Sequence, residues 1–302
     1  TLKLSPRPAW YDRKTTTGKP MTRVGTLQGT YLGVYPAKVC EYWTEKPEKT
    51  NCKFCSVGLN LGVDDADDKS VGEVMEVIRA ARAESGLTYV DFNTGHYEGE
   101  TYLDILEPYI RRIKKETGIL VGVQTPPHGD LKRYDALREM GVNRVSFCFE
   151  IFDPCVFKEV CPGKDRQYGL QRYLDAVEYC AGLGKKGPRN QPWVTNGEII
   201  VGLEPPESSI KAIDWITSVE PGGLAIAAHS RLPAPMSSIS DEVSRSWLPA
   251  AIRADSDIDC VSSARKAMVR ICGSTESTND VSTWLKESSR RRSRAPVSTV
   301  MA

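Results

Sequence analysis

The sequence predicts an α/β fold in which parallel strands form a partial (β/α) barrel, incomplete on its C-terminal side. From residue 29 to 219, β-branched and aromatic runs alternate with segments carrying an apolar stripe at helical spacing. Glycines at 86, 118 and 141 punctuate that alternation, and it stops beyond 219. Repeated strand-then-helix order implies parallel neighbours joined by right-handed crossovers.

GTYLGVYPA, residues 29–37, is the first strand and runs directly toward Cys40. Ser70 and Glu73 have capping-box spacing; Val71, Val74, Met75 and Ile78 follow as one stripe, with Gly86 as the stop. Residues 87–93 form strand two. Ile105, Leu106, Tyr109 and Ile113 mark a helix ending near Gly118, with Pro108 expected to kink it or adjust its start. Strand three is 119–124, Leu131 to Met140 a third helix, and 142–149 strand four. Leu170, Leu174, Val177 and Tyr179 mark a fourth helix, 193–201 a fifth strand, and Ile210, Ile213 and Ile216 a fifth helix. In such folds chemistry gathers at the carboxyl ends of the strands. That rule selects Cys40, the stretch Thr94 to Tyr97, Gln124 with His128, Glu150, and Gly202 with Glu204.

Three segments result: an N-terminal extension (1–28), the partial barrel (29–219) and an atypical tail (220–302). All 12 tyrosines and all 6 phenylalanines precede residue 221, whereas 16 serines fall after 220 against 8 before it. A core needs large apolar side chains, so the Ser/Arg-rich end reads as disordered or out of frame with the barrel. GLAIAAHS within it is a weak sixth strand at most. With 40 basic and 39 acidic side chains, charge supplies no general pull toward nucleic acid or an anionic membrane, and neither is expected as a partner. No apolar run is long enough to span a bilayer, so the cytoplasm is the default location. Nine cysteines at irregular spacing favour metal or redox chemistry over a disulfide framework.

In VCEYWTEKPEKTNCKFC, eleven residues separate Cys40 from Cys52 and two separate Cys52 from Cys55. The close pair can put both sulfurs on one metal or cluster, and the long loop lets Cys40 close a third side. Lys38, Lys46, Lys49 and Lys53 would offset the thiolate charge. A closed zinc site would need a fourth ligand, and no second pair of cysteines two apart exists to provide it.

Cys52-Lys53-Phe54-Cys55, with an aromatic just before the last cysteine and a strand just before the loop, resembles the cluster loop of the radical S-adenosylmethionine (SAM) superfamily. The resemblance covers roughly residues 29–219 and implies a four-iron four-sulfur cluster held by Cys40, Cys52 and Cys55. The open fourth iron would chelate the amino and carboxylate groups of S-adenosyl-L-methionine, and reductive cleavage would release a radical that abstracts a hydrogen atom. Thr94-Gly95-His96-Tyr97 stands where the family binds the SAM amino group, without the usual Gly-Gly-Glu. Glu150, after RVSFCFE, stands where relatives contact the ribose hydroxyls; a carboxylate can accept from both. Arg172 resembles the arginine that pairs with the SAM carboxylate in the biotin synthase branch. In GEIIVGLEPPE, Ile200 and Gly202 correspond to adenine-packing positions and Glu204 to support of the turn. Phe54 and Gln124 complete the expected cofactor contacts, and the stretch from Phe157 through Pro162-Gly163-Lys164 also resembles the biotin synthase and thiazole tyrosine lyase branch. The spacing of eleven then two, against the common three then two, leaves the subfamily chemistry open.

The implied partners are a small-molecule substrate and an electron donor such as flavodoxin or ferredoxin. Cys148, Cys155 and Cys161 lie on the active side of strand four or after it, although free cysteines are more often small buried hydrophobes. His96 and His128 lie at strand ends, and His229 has no placed context. No catalytic residue is assigned. Two other readings remain at this stage: a zinc-stabilised non-catalytic binding protein using the three cysteines and one histidine, and a hydrolase using Glu150 and His128. The second leaves the cysteine loop unexplained.

Overall fold

The computed structural model describes residues 7–185 and 192–219 and the backbone of 226–228. Seven strands form one sheet in chain order: β1 (Thr26–Gln28), β2 (Tyr31–Val34), β3 (Tyr89–Asn93), β4 (Leu120–Gln124), β5 (Arg144–Glu150), β6 (Val194–Ile200) and β7 (Ile226–Ala228). All neighbours are parallel except β1 and β2, and the sheet does not close on itself. This is the partial barrel expected from the alternation.

The helices are α1 (Val57–Asn60), α2 (Val71–Ser85), α3 (Tyr102–Thr117), α4 (Lys132–Glu139), α5 (Pro154–Val160), α6 (Pro162–Gln167), α7 (Gly169–Lys185) and α8 (Pro206–Val219). The Ser70 capping box forms: the Ser70 hydroxyl accepts from Glu73 N at 3.2 Å, and the Glu73 carboxylate accepts from Ser70 N at 2.7 Å. Gly86 and Gly118 end α2 and α3 with φ of 62° and 64°, the left-handed conformation a helix stop requires. Pro108 does not break α3, which runs through it from Tyr102 to Thr117. Its missing N–H costs one bond in the second turn, while Leu103, Leu106, Ile110 and Ile113 bury one whole face.

Side chains alternate across the sheet. Val90, Phe92, Val121, Val123, Val145, Phe147 and Phe149 face the helices and are essentially inaccessible. Phe92 meets Tyr109 of α3, Phe147 meets Tyr134 of α4, and Phe149 meets Trp215 of α8. The opposite face is polar, carrying Tyr89, Asp91, Gln124, Arg144, Ser146, Cys148 and Glu198, which hydrogen-bond to one another. The sheet is therefore an apolar wall on one side and a preorganised polar floor on the other.

Several expectations need adjusting. The stretch 29–37 is shorter as a strand, since Gly29, at φ 63°, makes the turn between β1 and β2. The extension 1–28 contributes β1, and its Trp10 is fully buried, donating its backbone N–H to Glu84 and its indole N–H to Ser85 of α2. Helices α5 and α6 were not anticipated. β7 lies inside GLAIAAHS and pairs with β6, beyond the boundary at 219. His229 and the rest of the tail reading fall outside the described residues.

Candidate functional site

The cysteine loop leaves the carboxyl end of β2 and is tied to the turn after β3. Cys40 starts a single 3-10 turn, Glu41–Trp43, and its sulfur accepts the backbone N–H of His96 at 3.3 Å. Glu41 N donates to the His96 carbonyl at 3.0 Å, so the loop and the turn after β3 are laced together. Gly95 makes that approach possible. A Cβ there would collide with Cys40 and lie 2.9 Å from the Tyr35 hydroxyl. Gly95→Ala is accordingly expected to displace Cys40, lower the iron and sulfide retained per chain, and cost about 1–3 kcal/mol of stability as an overpacked contact. Wild-type iron and sulfide loading in this variant would show that the close approach is unimportant.

Cys55 N donates to the Cys52 carbonyl at 3.0 Å, and Phe54 lies half-buried in the turn between them. All three loop cysteines are free thiols. Burial pushes Cys40 up to about 11 and also raises Cys55. Cys52 behaves oppositely: a hydrogen bond with the Cys161 thiol, together with the nearby Lys164 ammonium, holds it below its usual value and opposes the effect of burial. Of Cys148, Cys155 and Cys161, it is thus Cys161 that touches the loop. Cys155 is exposed, and Cys148 donates its thiol to Glu198 at 3.0 Å on the polar face.

Of the remaining positions, Thr94 is buried and its hydroxyl has no hydrogen-bond partner. The His96 ring is buried too, stacked on Tyr42 at 4.5 Å with Nδ1 2.5 Å from the Tyr168 hydroxyl, and burial lowers its pKa. His96 therefore presents its backbone, not its imidazole, to Cys40. Tyr97 packs beneath, donating to the Lys38 carbonyl at 2.5 Å.

Glu150 ends β5 at a register shift, with φ 59°, in the left-handed region a non-glycine residue rarely occupies. Its carboxylate pairs with Lys164, so it is not the free acceptor that the sequence suggested. Burial raises the Glu150 carboxyl against the pull of that ammonium. Burial would lower Lys164, but the Glu150 carboxylate outweighs it and holds the ammonium well above its ordinary value. Arg172 is engaged as well, 2.5 Å from Glu100 and stacked 5.0 Å over the Tyr168 ring. His128 Nδ1 lies 3.8 Å from that same Glu100.

Gln124 donates to Glu198 at 2.9 Å and accepts from Asn93 at 3.1 Å. Ile200 is the last residue of β6, and Gly202, at φ 97°, sits in the turn that follows. Glu204 accepts from Phe152 N, Asp153 N and the Ser209 hydroxyl at 2.7–2.9 Å, tying the turn after β5 to α8. The lysines expected to balance thiolate charge are exposed; Lys53 pairs with Glu159 at 3.1 Å and Lys49 lies over the Trp43 ring. The buried cation beside the loop is Lys164, which sequence reasoning did not single out for that role.

Among the described residues no three His, Cys, Asp or Glu side chains are gathered to hold a single metal ion. A cubane cluster makes a different demand, because each thiolate binds a different iron. Three free thiols in one another's electrostatic reach, a glycine clearing space beside Cys40 and an unpartnered Thr94 hydroxyl are compatible with such a cluster and a polar ligand beside it.

Fold and site together define a class: open, mostly parallel β/α sheets that carry a thiol-rich loop at the carboxyl end of the first parallel strand. The profile of the radical SAM superfamily matches residues 49–216, a range that includes Cys52 and Cys55 and begins after Cys40, and the chain belongs to that superfamily of enzymes. Its members generally use a four-iron four-sulfur cluster and S-adenosylmethionine, act on a substrate and need a reductant. Bacteriochlorophyllide c C-7(1)-hydroxylase of Chlorobaculum limnaeum is 32% identical over 88 residues, which is 29% of this chain and 21% of the relative. The match thus spans about a fifth of that protein. Solved structures with a similar outline include methylornithine synthase (15% identity, 74% of this chain and 67% of that one, TM-score 0.44). Another is the FeFe-hydrogenase maturase HydG from Carboxydothermus hydrogenoformans (19% identity, 85% and 56%, TM-score 0.47). Among the described residues no helix is long and apolar enough to cross a membrane.

Proposed function

We propose that this chain holds a four-iron four-sulfur cluster on Cys40, Cys52 and Cys55, cleaves S-adenosylmethionine reductively, and removes a hydrogen atom from a small-molecule substrate. The observation that carries the reading is the loop itself: three free cysteines at the carboxyl end of β2, within electrostatic reach of one another, in a chain of this superfamily. Bound together, cluster and S-adenosylmethionine supply one-electron cleavage of a carbon–sulfur bond and a hydrogen-abstracting radical.

The chain's own part is binding, orientation and exclusion of water. The backbone of Gly95 and His96 flanks Cys40, and together with the unpartnered hydroxyl of the preceding Thr94 it would receive an ammonium group of the ligand. Glu150 offers a carboxylate to the ribose diol, with Lys164 as its counter-ion. Ile200 and Gly202 provide an apolar, closely approachable edge for adenine. Arg172, already paired with Glu100, is suited to the methionyl carboxylate, and Gln124 and Phe54 border the same end of the sheet. The electron would come from a low-potential donor such as flavodoxin or ferredoxin.

Anaerobic reconstitution of the chain, followed by iron, zinc and sulfide analysis and assay of 5′-deoxyadenosine from S-adenosylmethionine plus dithionite, tests the reading. Iron and sulfide near four each per chain, with deoxyadenosine formed, are expected, whereas a zinc-only protein would overturn it. Glu150→Ala should keep the cluster and weaken S-adenosylmethionine binding by about tenfold or more, the loss of a charge-assisted hydrogen bond.

A further inference from the structure

We propose that Lys164 is a positioning residue that aims Glu150 and supplies the buried positive charge shared by Glu150 and the cysteine loop. The proposal rests on the cluster reading above. It starts from the backbone. β5 shifts register between Cys148 and Glu150, and Glu150 sits at φ 59°, a conformation that is unfavourable in a non-glycine residue and persists only when its surroundings enforce it. Lys164 grips both sides of that irregularity. Its ammonium donates to the Cys148 carbonyl at 2.5 Å and to the Glu150 carboxylate.

The lysine is itself held from the other direction. Gly163 N donates to the Thr50 carbonyl at 3.0 Å, and a Cβ on Gly163 would lie 2.7 Å from both that oxygen and the Tyr42 ring. Helix α6 is thereby pressed onto the cysteine loop, and the next residue, Lys164, reaches from there to β5. Its side chain is only 14% exposed and its ammonium lies 5.6 Å from the centre of the Tyr173 ring. The exposed lysines of the loop act through solvent and are screened, whereas this ammonium acts through protein. It falls within electrostatic reach of Cys52 and Cys55. One side chain thus couples the geometry of β5 to the charge balance of the loop.

The test uses the reconstituted full chain with Lys164→Met, Lys164→Gln and Lys164→Arg. Iron and sulfide content, the cluster midpoint potential from an EPR-monitored redox titration, and the dissociation constant of S-adenosylmethionine are measured. Lys164→Met and Lys164→Gln should lower the potential, because a nearby cation favours the more negative reduced cluster, and should weaken S-adenosylmethionine binding about tenfold. Lys164→Arg keeps the charge and should restore most of both. Unchanged potential and affinity in a cluster-loaded Lys164→Met would overturn the proposal. If that variant fails to load, equal values for Lys164→Gln and Lys164→Arg would overturn it just as directly. A wild-type chain that takes up no iron and sulfide would defeat the underlying cluster reading, and this proposal with it.

Discussion

Cys52→Ala is expected to leave the reconstituted chain without a stable cluster, and Cys40→Ala and Cys55→Ala to do the same. On the proposed reading each removes the thiolate that would bind one iron, and the one thiol in contact with the loop, Cys161, is held at the α5–α6 junction. Cys40 is fixed by the turn after β3, and Cys55 by its backbone bond to Cys52. A thiolate cannot be exchanged for a methyl without leaving that iron exposed to solvent and loss. Deoxyadenosine formation should fall to background in all three variants. Two buried cysteines serve as controls: Cys180, in the interior of α7, and Cys161, which touches Cys52 but belongs to the α5–α6 junction. Their alanine variants should lose only about 1–2 kcal/mol of packing and keep their iron. Full iron and sulfide content in any of the three loop variants would remove that cysteine from the site.

What the sequence made legible was local. The Ser70–Glu73 box, the glycine stops at 86 and 118, and the alternation of β-branched strands with striped helices each depend on residues a few positions apart. The cysteine loop was readable for the same reason. What could not be read was pairing across the chain. Arg172 meets Glu100 from 72 residues away, and Lys164 of α6 meets Glu150 where the register of β5 shifts. β1 has three residues and a single partner strand, too short for a periodic signal. Helices α5 and α6 are a turn or two each, announced by Pro154 and Pro162 at their first positions and, for α5, by the Asp153 cap. The polar face of the sheet was the largest omission, since alternation shows that one face differs without showing that its charges meet.

That face leads to the second large effect. Arg144, at the start of β5, lies 2.9 Å from Asp91 and 2.9 Å from Glu198, with side chains 15%, 10% and 17% exposed. Arg144→Met preserves much of the volume and removes the cation that, among the described residues, these two carboxylates share. Breaking a buried ion pair from one side costs about 3–5 kcal/mol, because the remaining charge is left uncompensated. The effect should depend on pH in a defined sense. Burial raises Asp91 above its ordinary value and Arg144 opposes that rise, so deleting Arg144 raises the folded-state value further. A carboxyl whose folded value exceeds its unfolded one contributes stability below the unfolded value, and that contribution is lost as pH rises through the folded value. The deficit of Arg144→Met relative to wild type should therefore be larger at about pH 7.5 than at about pH 5 when both are unfolded in urea. Equal deficits at the two pH values would show that the lost stability is packing alone. Adding Asp91→Asn in the Arg144→Met background should recover part of it at the higher pH, since the two side chains are in contact and their effects are not additive.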